Sequence, residues 1–151
     1  MPKAHTETID AVALADRLRP ILLHLSRELR REARAEGISP SQVTLLAVIK
    51  YTPGIGVKEL AERERVSAPA MSRHVDRLVK AGLVSRTASD DDRRRVGLTL
   101  TEAGRRVLRK VRSRRTVWLA QRLRKLSQAE LAALEAAAEP LALLLDEEER
   151  P

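Results

Sequence analysis

A chain of 151 residues fits one compact domain with an oligomerisation arm, and with no Phe, one Trp and one Tyr its core must be aliphatic, which suits packed helices. The absence of cysteine excludes disulfides, thiolate metal sites and thiol-based sensing, and no apolar run approaches the roughly 20 residues of a membrane span, so the sequence predicts a soluble, cytoplasmic protein. Of the net charge of +8, residues 62–115 supply 16 Lys/Arg against 7 Asp/Glu, or +9, a concentration that points to nucleic acid as the partner.

Residues 1–6 read as a loose tail. From about Glu7 to Glu36 the pattern is helical: Leu14, Leu18, Ile21 and Leu25 recur at spacings of four, three and four, and Leu22 and Leu29 widen the stripe until it demands packing partners. Pro20 predicts a kink or two abutting helices, and Gly37 a stop. Ser39-Pro40-Ser41-Gln42 combines a Ser cap, Pro at the first helical position and Gln three residues after the cap, opening a helix to about Tyr51 with Val43, Leu46, Ala47 and Ile49 inward. Thr52 to Gly56 is a turn-rich linker, and Val57 to Glu64 a short helix with Val57, Leu60 and Ala61 inward.

Ser67 caps the next helix, to about Ala81, which has two faces. Met71, Val75, Leu78 and Val79 fall on one side; Pro69, Ser72, Arg73, Asp76, Arg77 and Lys80 fall on the other. Two short helices joined by a tight turn, the second cationic outward, make a helix-turn-helix whose second helix can enter a major groove, where arginine bonds bidentately to guanine.

After Gly82, Leu83 to Thr87 and Arg95 to Leu100 read as strands around a loop of three acids and three arginines. A hairpin in that position is a wing. Its arginines Arg93, Arg94 and Arg95 suit backbone contact or a narrow minor groove, and Asp92 can brace Arg94 by a charge-assisted bond. Thr101 caps a long helix to about Leu126, roughly 39 Å at 1.5 Å per residue. Ser127 opens a final helix in which Leu131, Leu134, Ala138, Leu141 and Leu145 form a heptad seam that wants another helix, and Pro140 predicts a kink.

Asp92-Arg93-Arg94, then five residues, then Leu100-Thr101-Glu102-Ala103-Gly104 resembles the wing signature D-x-R-x5-L-T of the MarR family of bacterial transcription regulators. Ser67 to Arg73, with Leu78 and the Ala81-Gly82-Leu83-Val84 run, is similar to that family's recognition helix and its exit, and the resemblance spans nearly the whole chain. It implies a mostly α fold with a small β-hairpin wing: a winged helix-turn-helix head over 38–100, a helical dimerisation region over 7–37 and 101–146, and tails at 1–6 and 147–151. A homodimer presenting two heads to one pseudo-palindromic site of double-stranded DNA follows from the same resemblance, with many members repressing neighbouring genes until a small anionic aromatic effector releases them.

Carried over by position, Ser72, Arg73 and Arg77 would meet the major groove and Arg94 the minor groove, Pro69 would shape the helix entry, Ser67, Arg86, Arg93 and Arg95 complete the candidate DNA-binding set, and Asp92 supports the wing. His24, Arg27 and Trp118 are candidate effector-pocket residues. Two positions depart from the family's pattern: Arg65 stands in the helix-turn-helix turn where glycine is common, so a left-handed conformation there would cost about 1 kcal/mol, and Glu64 replaces the usual apolar turn residue. An architectural DNA protein with little sequence preference is the alternative reading. An enzyme is not expected, and neither is a cofactor or metal: His5, His24 and His74 are scattered, and the acids at 90–92 lie beside arginines without histidines at ligand spacing.

Overall fold

A computed structural model describes residues 8–88 and 95–146. Helix α1 (Ala11–Arg31) starts at Asp10, whose carboxylate accepts the Val12 N–H at 3.0 Å, and runs unbroken through Pro20. Of the two expectations for Pro20, a kink or two abutting helices, the second is corrected: proline removes one backbone donor, and because Asp16 and Pro20 are both exposed, water can take up the freed carbonyl. The last turns tighten into a 3-10 segment (Glu32–Glu36), which Gly37 ends at φ 71°, as the stop signal predicts.

Helix α2 (Pro40–Tyr51) carries the complete capping box, with Gln42 N–H donating to Ser39 Oγ at 3.2 Å and Ser39 N–H to Gln42 Oε1 at 2.9 Å. It buries Val43, Leu45, Leu46 and Ile49, so Leu45 takes the inward place expected of the half-buried Ala47. The linker after it does more than turn. Gly54 N–H donates to Leu98 O at 2.8 Å and Leu98 N–H to Ile55 O at 2.9 Å, adding a one-residue third rung to the wing.

Helices α3 (Val57–Arg63) and α4 (Ala68–Lys80) are joined through Arg65, which adopts φ 55° and is the single non-glycine residue with positive φ among the described residues. Ser67 Oγ caps α4 by accepting Ala70 N–H at 3.3 Å. At the far end Gly82 (φ 73°) closes a Schellman motif, with Leu83 N–H bonded to Leu78 O and Gly82 N–H to Val79 O. Strands β1 (Val84–Ala88) and β2 (Val96–Leu100) pair antiparallel with Val84 opposite Leu100 and Ala88 opposite Val96.

Helix α5 (Glu102–Leu123) ends three residues before the expected Leu126, at about 33 Å. A turn there lets Glu130 accept both the N–H and the hydroxyl of Ser127 at 2.8 Å, a local cap that starts α6 (Gln128–Asp146). Pro140 lies inside α6 without dividing it.

The core belongs to the middle of the chain. Leu46, Ile49, Ile55, Leu60, Met71, Val75, Leu78, Leu98 and Val111 are all at most 2% exposed and form one aliphatic cluster among α2–α5 and the hairpin. Neither α1 nor α6 has a buried residue among those described. No described helix is long and apolar enough to cross a membrane.

Candidate nucleic-acid interface

Helix α4 is held by its apolar side. Met71, Val75 and Leu78 are sunk in the core, so helical periodicity turns Pro69, Arg73, Asp76, Arg77 and Lys80 outward, all exposed, with Ser72 half-buried at the rim. Among the described residues neither Arg73 nor Arg77 has a carboxylate within ion-pair distance, so their donors face solvent. Ser67 is exposed, but its hydroxyl oxygen is engaged in capping.

The hairpin stands beside α4. Arg86, on β1, is committed to Asp76: its Nη2 lies 2.5 Å from Asp76 Oδ1. Arg95 precedes β2 and lines an open cleft with Lys58 of α3 and the glycines Gly54 and Gly97. Lys58 was not singled out from the sequence, because nothing local places the first turn of α3 beside the wing. Asp92, Arg93 and Arg94 lie outside the described residues. The wing is pinned at its base by close backbone approach: a Cβ on Gly97 would come 2.6 Å from Gly54 O, and one on Gly104 2.1 Å from Leu83 O. Thr101 completes the joint, its hydroxyl donating to Gly82 O at 2.6 Å and accepting Gly104 N–H at 3.0 Å, while its N–H donates to Leu83 O.

His24, Arg27 and Trp118 do not line the cleft beside the wing or the apolar clefts against α1. His24 and Arg27 are exposed on α1, and Trp118 is half-buried on α5 with the Arg122 guanidinium stacked 3.5 Å from its ring centre. A cleft of about 570 Å³ does open between α1, α2 and α5, lined by Leu22, Leu25, Leu29, Val43, Arg30 and Arg115, and none of those three residues is in its wall. Arg115 donates from Nε to Leu29 O at 3.2 Å; burial, and then the nearby charge of Arg30, lower its pKa. Two like charges thus face one apolar cleft with no carboxylate within ion-pair distance of either among the described residues. Carboxylates cluster elsewhere: Glu32 and Glu36 of the 3-10 segment hold Arg114, and Glu36 also reaches Lys110 at 3.9 Å. Among the described residues no group of three or more acids or histidines could hold a metal.

Comparison with known proteins agrees with this geometry. The model of the MarR family matches residues 38–96, the helix-turn-helix and first strand with the start of the second. The chain is 34% identical to the HTH-type transcriptional regulator MT0903.1 of Mycobacterium tuberculosis, over 89% of this chain and 94% of that protein. It is 30% identical to the HTH-type transcriptional repressor MdtR of Bacillus subtilis, over 76% and 74%. Among solved structures, the transcriptional regulator Tm0710 of Thermotoga maritima superposes with a TM-score of 0.77 at 25% identity, covering 90% of this chain and 96% of that one.

Proposed function

The chain belongs to the MarR family of DNA-binding transcriptional regulators, which are not enzymes, and from that premise we propose that it is a homodimeric repressor of a pseudo-palindromic operator. The observation that carries the reading is the outward face of α4: exposed Arg73 and Arg77, free of carboxylates among the described residues, on a helix whose opposite face is locked in the core. In this reading Ser72, Arg73 and Arg77 read base edges, Ser67 and Pro69 shape the start of the helix, and Arg93, Arg94 and Arg95 follow the backbone and the minor groove, Asp92 bracing Arg94, while Arg86 meets DNA only where the duplex fits helix and wing together. Residues 38–100 act as the head and residues 7–37 and 101–146 as the dimerisation region. Support for the second copy is the uncovered apolar surface on α1 and α6, where Ile21, Leu22, Leu23, Leu134, Leu144 and Leu145 are each between 44% and 71% exposed. Selecting duplexes from a random-sequence pool with the full chain, followed by footprinting, tests the reading. Two inverted half-sites about 10 base pairs apart, or a multiple of that, are expected. A single half-site or no preference over bulk DNA would overturn it, the latter in favour of an architectural role.

The anionic aromatic effector belongs, in the same reading, to the cleft of Arg30 and Arg115, where two cations above an apolar floor match a carboxylate on a ring. With benzoate as probe, the wild type should release its selected duplex and R115M should not; equal release from both would remove this cleft from the mechanism.

A further inference from the structure

Asp76 is the only carboxylate of α4, and it stands on the face that a polyanion would meet. Ser72, Asp76 and Lys80 follow at four-residue spacing beside Arg73 and Arg77, and the Asp76 side chain is 57% exposed. What it holds is a wing residue: Arg86 of β1, ten residues on and in another element, at 2.5 Å. Among the described residues it is the one ion pair between recognition helix and wing. An ion pair this exposed contributes little to stability, so its consequence lies in what the guanidinium is kept from doing.

We infer that Asp76 is a specificity-determining positioning residue, which holds Arg86 against the recognition helix and withholds its charge from indiscriminate phosphate contact. The inference rests on the reading of α4 as the DNA-facing helix. Sequence-independent affinity is built from phosphates neutralised and counterions released, so a guanidinium already paired with a carboxylate adds little to it. The same pair fixes β1 against α4, and a fixed angle between helix and wing favours a DNA that fits both grooves at once over one that fits neither. Asp76 therefore lowers binding to bulk DNA more than binding to the operator.

The test uses the full-length wild type, D76N, R86M and the double variant, titrated between 50 and 200 mM salt on sheared genomic DNA and on a duplex the wild type selects from a random pool. On bulk DNA, D76N should steepen the plot of log affinity against log salt by about 0.9, the signature of one more phosphate contact, which amounts to roughly a 3.5-fold change across that range. Its ratio of selected to bulk affinity should fall. In the R86M background D76N should leave the slope alone. An unchanged slope in D76N, or the same change with and without Arg86 as plain loss of a negative charge would give, overturns the inference. If the wild type prefers no duplex, the operator reading fails, while the bulk-DNA slopes still decide the role of Asp76. Both substitutions are at exposed side chains, and thermal melts of the four proteins verify equal folding.

Discussion

Arg73 and Arg77 share with Arg63, Arg65 and Arg95 the lack of a carboxylate within ion-pair distance among the described residues, and what marks them as reading residues is their place on the outward face of α4. Glu102 engages Arg105 and Arg109, and Asp76 engages Arg86. R73A should therefore relax base preference at one position per half-site by about 1 to 3 kcal/mol, read from binding to operator variants; uniform weakening on every sequence would instead make Arg73 a phosphate contact. Arg65 illustrates what a single position can reveal. A residue where the family's turn commonly has glycine was expected to meet a left-handed backbone, and it does so at φ 55°. The pairing of Asp76 with Arg86 and the approach of Arg115 to Arg30 were not legible in the same way. The first joins residues of two different elements and the second residues far apart in the chain, and only the packing of α4 on the hairpin and of α5 on α1 brings them together.

Helix starts were legible because their chemistry is local: a Ser or Thr whose hydroxyl meets an amide three residues on needs no tertiary structure to be recognised. Thr101 goes further than a cap, since the same hydroxyl also clasps Gly82 O beyond the recognition helix. T101V keeps the shape and deletes the hydroxyl, leaving Gly104 N–H and Gly82 O without their partner. It should cost about 1 to 2 kcal/mol in urea unfolding, and a loss near zero would show that water replaces both bonds. The first turns of α5 and α6 also make a pH prediction. Bonds from Arg109 and Arg105 hold the Glu102 carboxyl below its ordinary range, and the Ser127 N–H and hydroxyl do the same for Glu130. A folded-state pKa below the unfolded one contributes stability that is complete above the usual carboxylate range and is lost as pH falls through it. E102Q and E130Q should accordingly flatten the acid side of the stability profile and leave the shape above pH 6 unchanged. The Thr52–Gly56 rung and the unbroken course of α1 through Pro20 were read differently from the sequence. The first depends on Leu98 arriving opposite Ile55, and the second on Asp16 and Pro20 lying on an exposed face of α1.

At the scale of the molecule the core and the apolar surface lie in different places. The head is sealed, whereas α1 and α6 form a groove between Ala11, Leu14, Leu18, Leu22 and Leu144 that stays open. Burying such side chains is worth about 1.5 to 3 kcal/mol each, enough for a few of them to hold two chains together. L22D with L144D should shift sedimentation from dimer to monomer and cost operator affinity while the head keeps its thermal transition. A double variant that remains dimeric would place the interface elsewhere. The heptad spacing of α6 announced a surface in need of a helix and the family resemblance grouped α6 with α1, but only the fold reveals that Leu144, outside that heptad seam, is the α6 residue that lines the groove with α1.

Trp118 is the single indole of the chain, and it sits on α5 away from the head, under the Arg122 guanidinium. With Tyr51 the only other aromatic, emission excited at the red edge of the tyrosine band comes from this one ring. The molecule thus carries an intrinsic fluorophore on the helix that Thr101 ties to the recognition element. A change in its intensity or anisotropy when DNA is added, at constant oligomeric state, would report movement passed from one end of that helix to the other without any label.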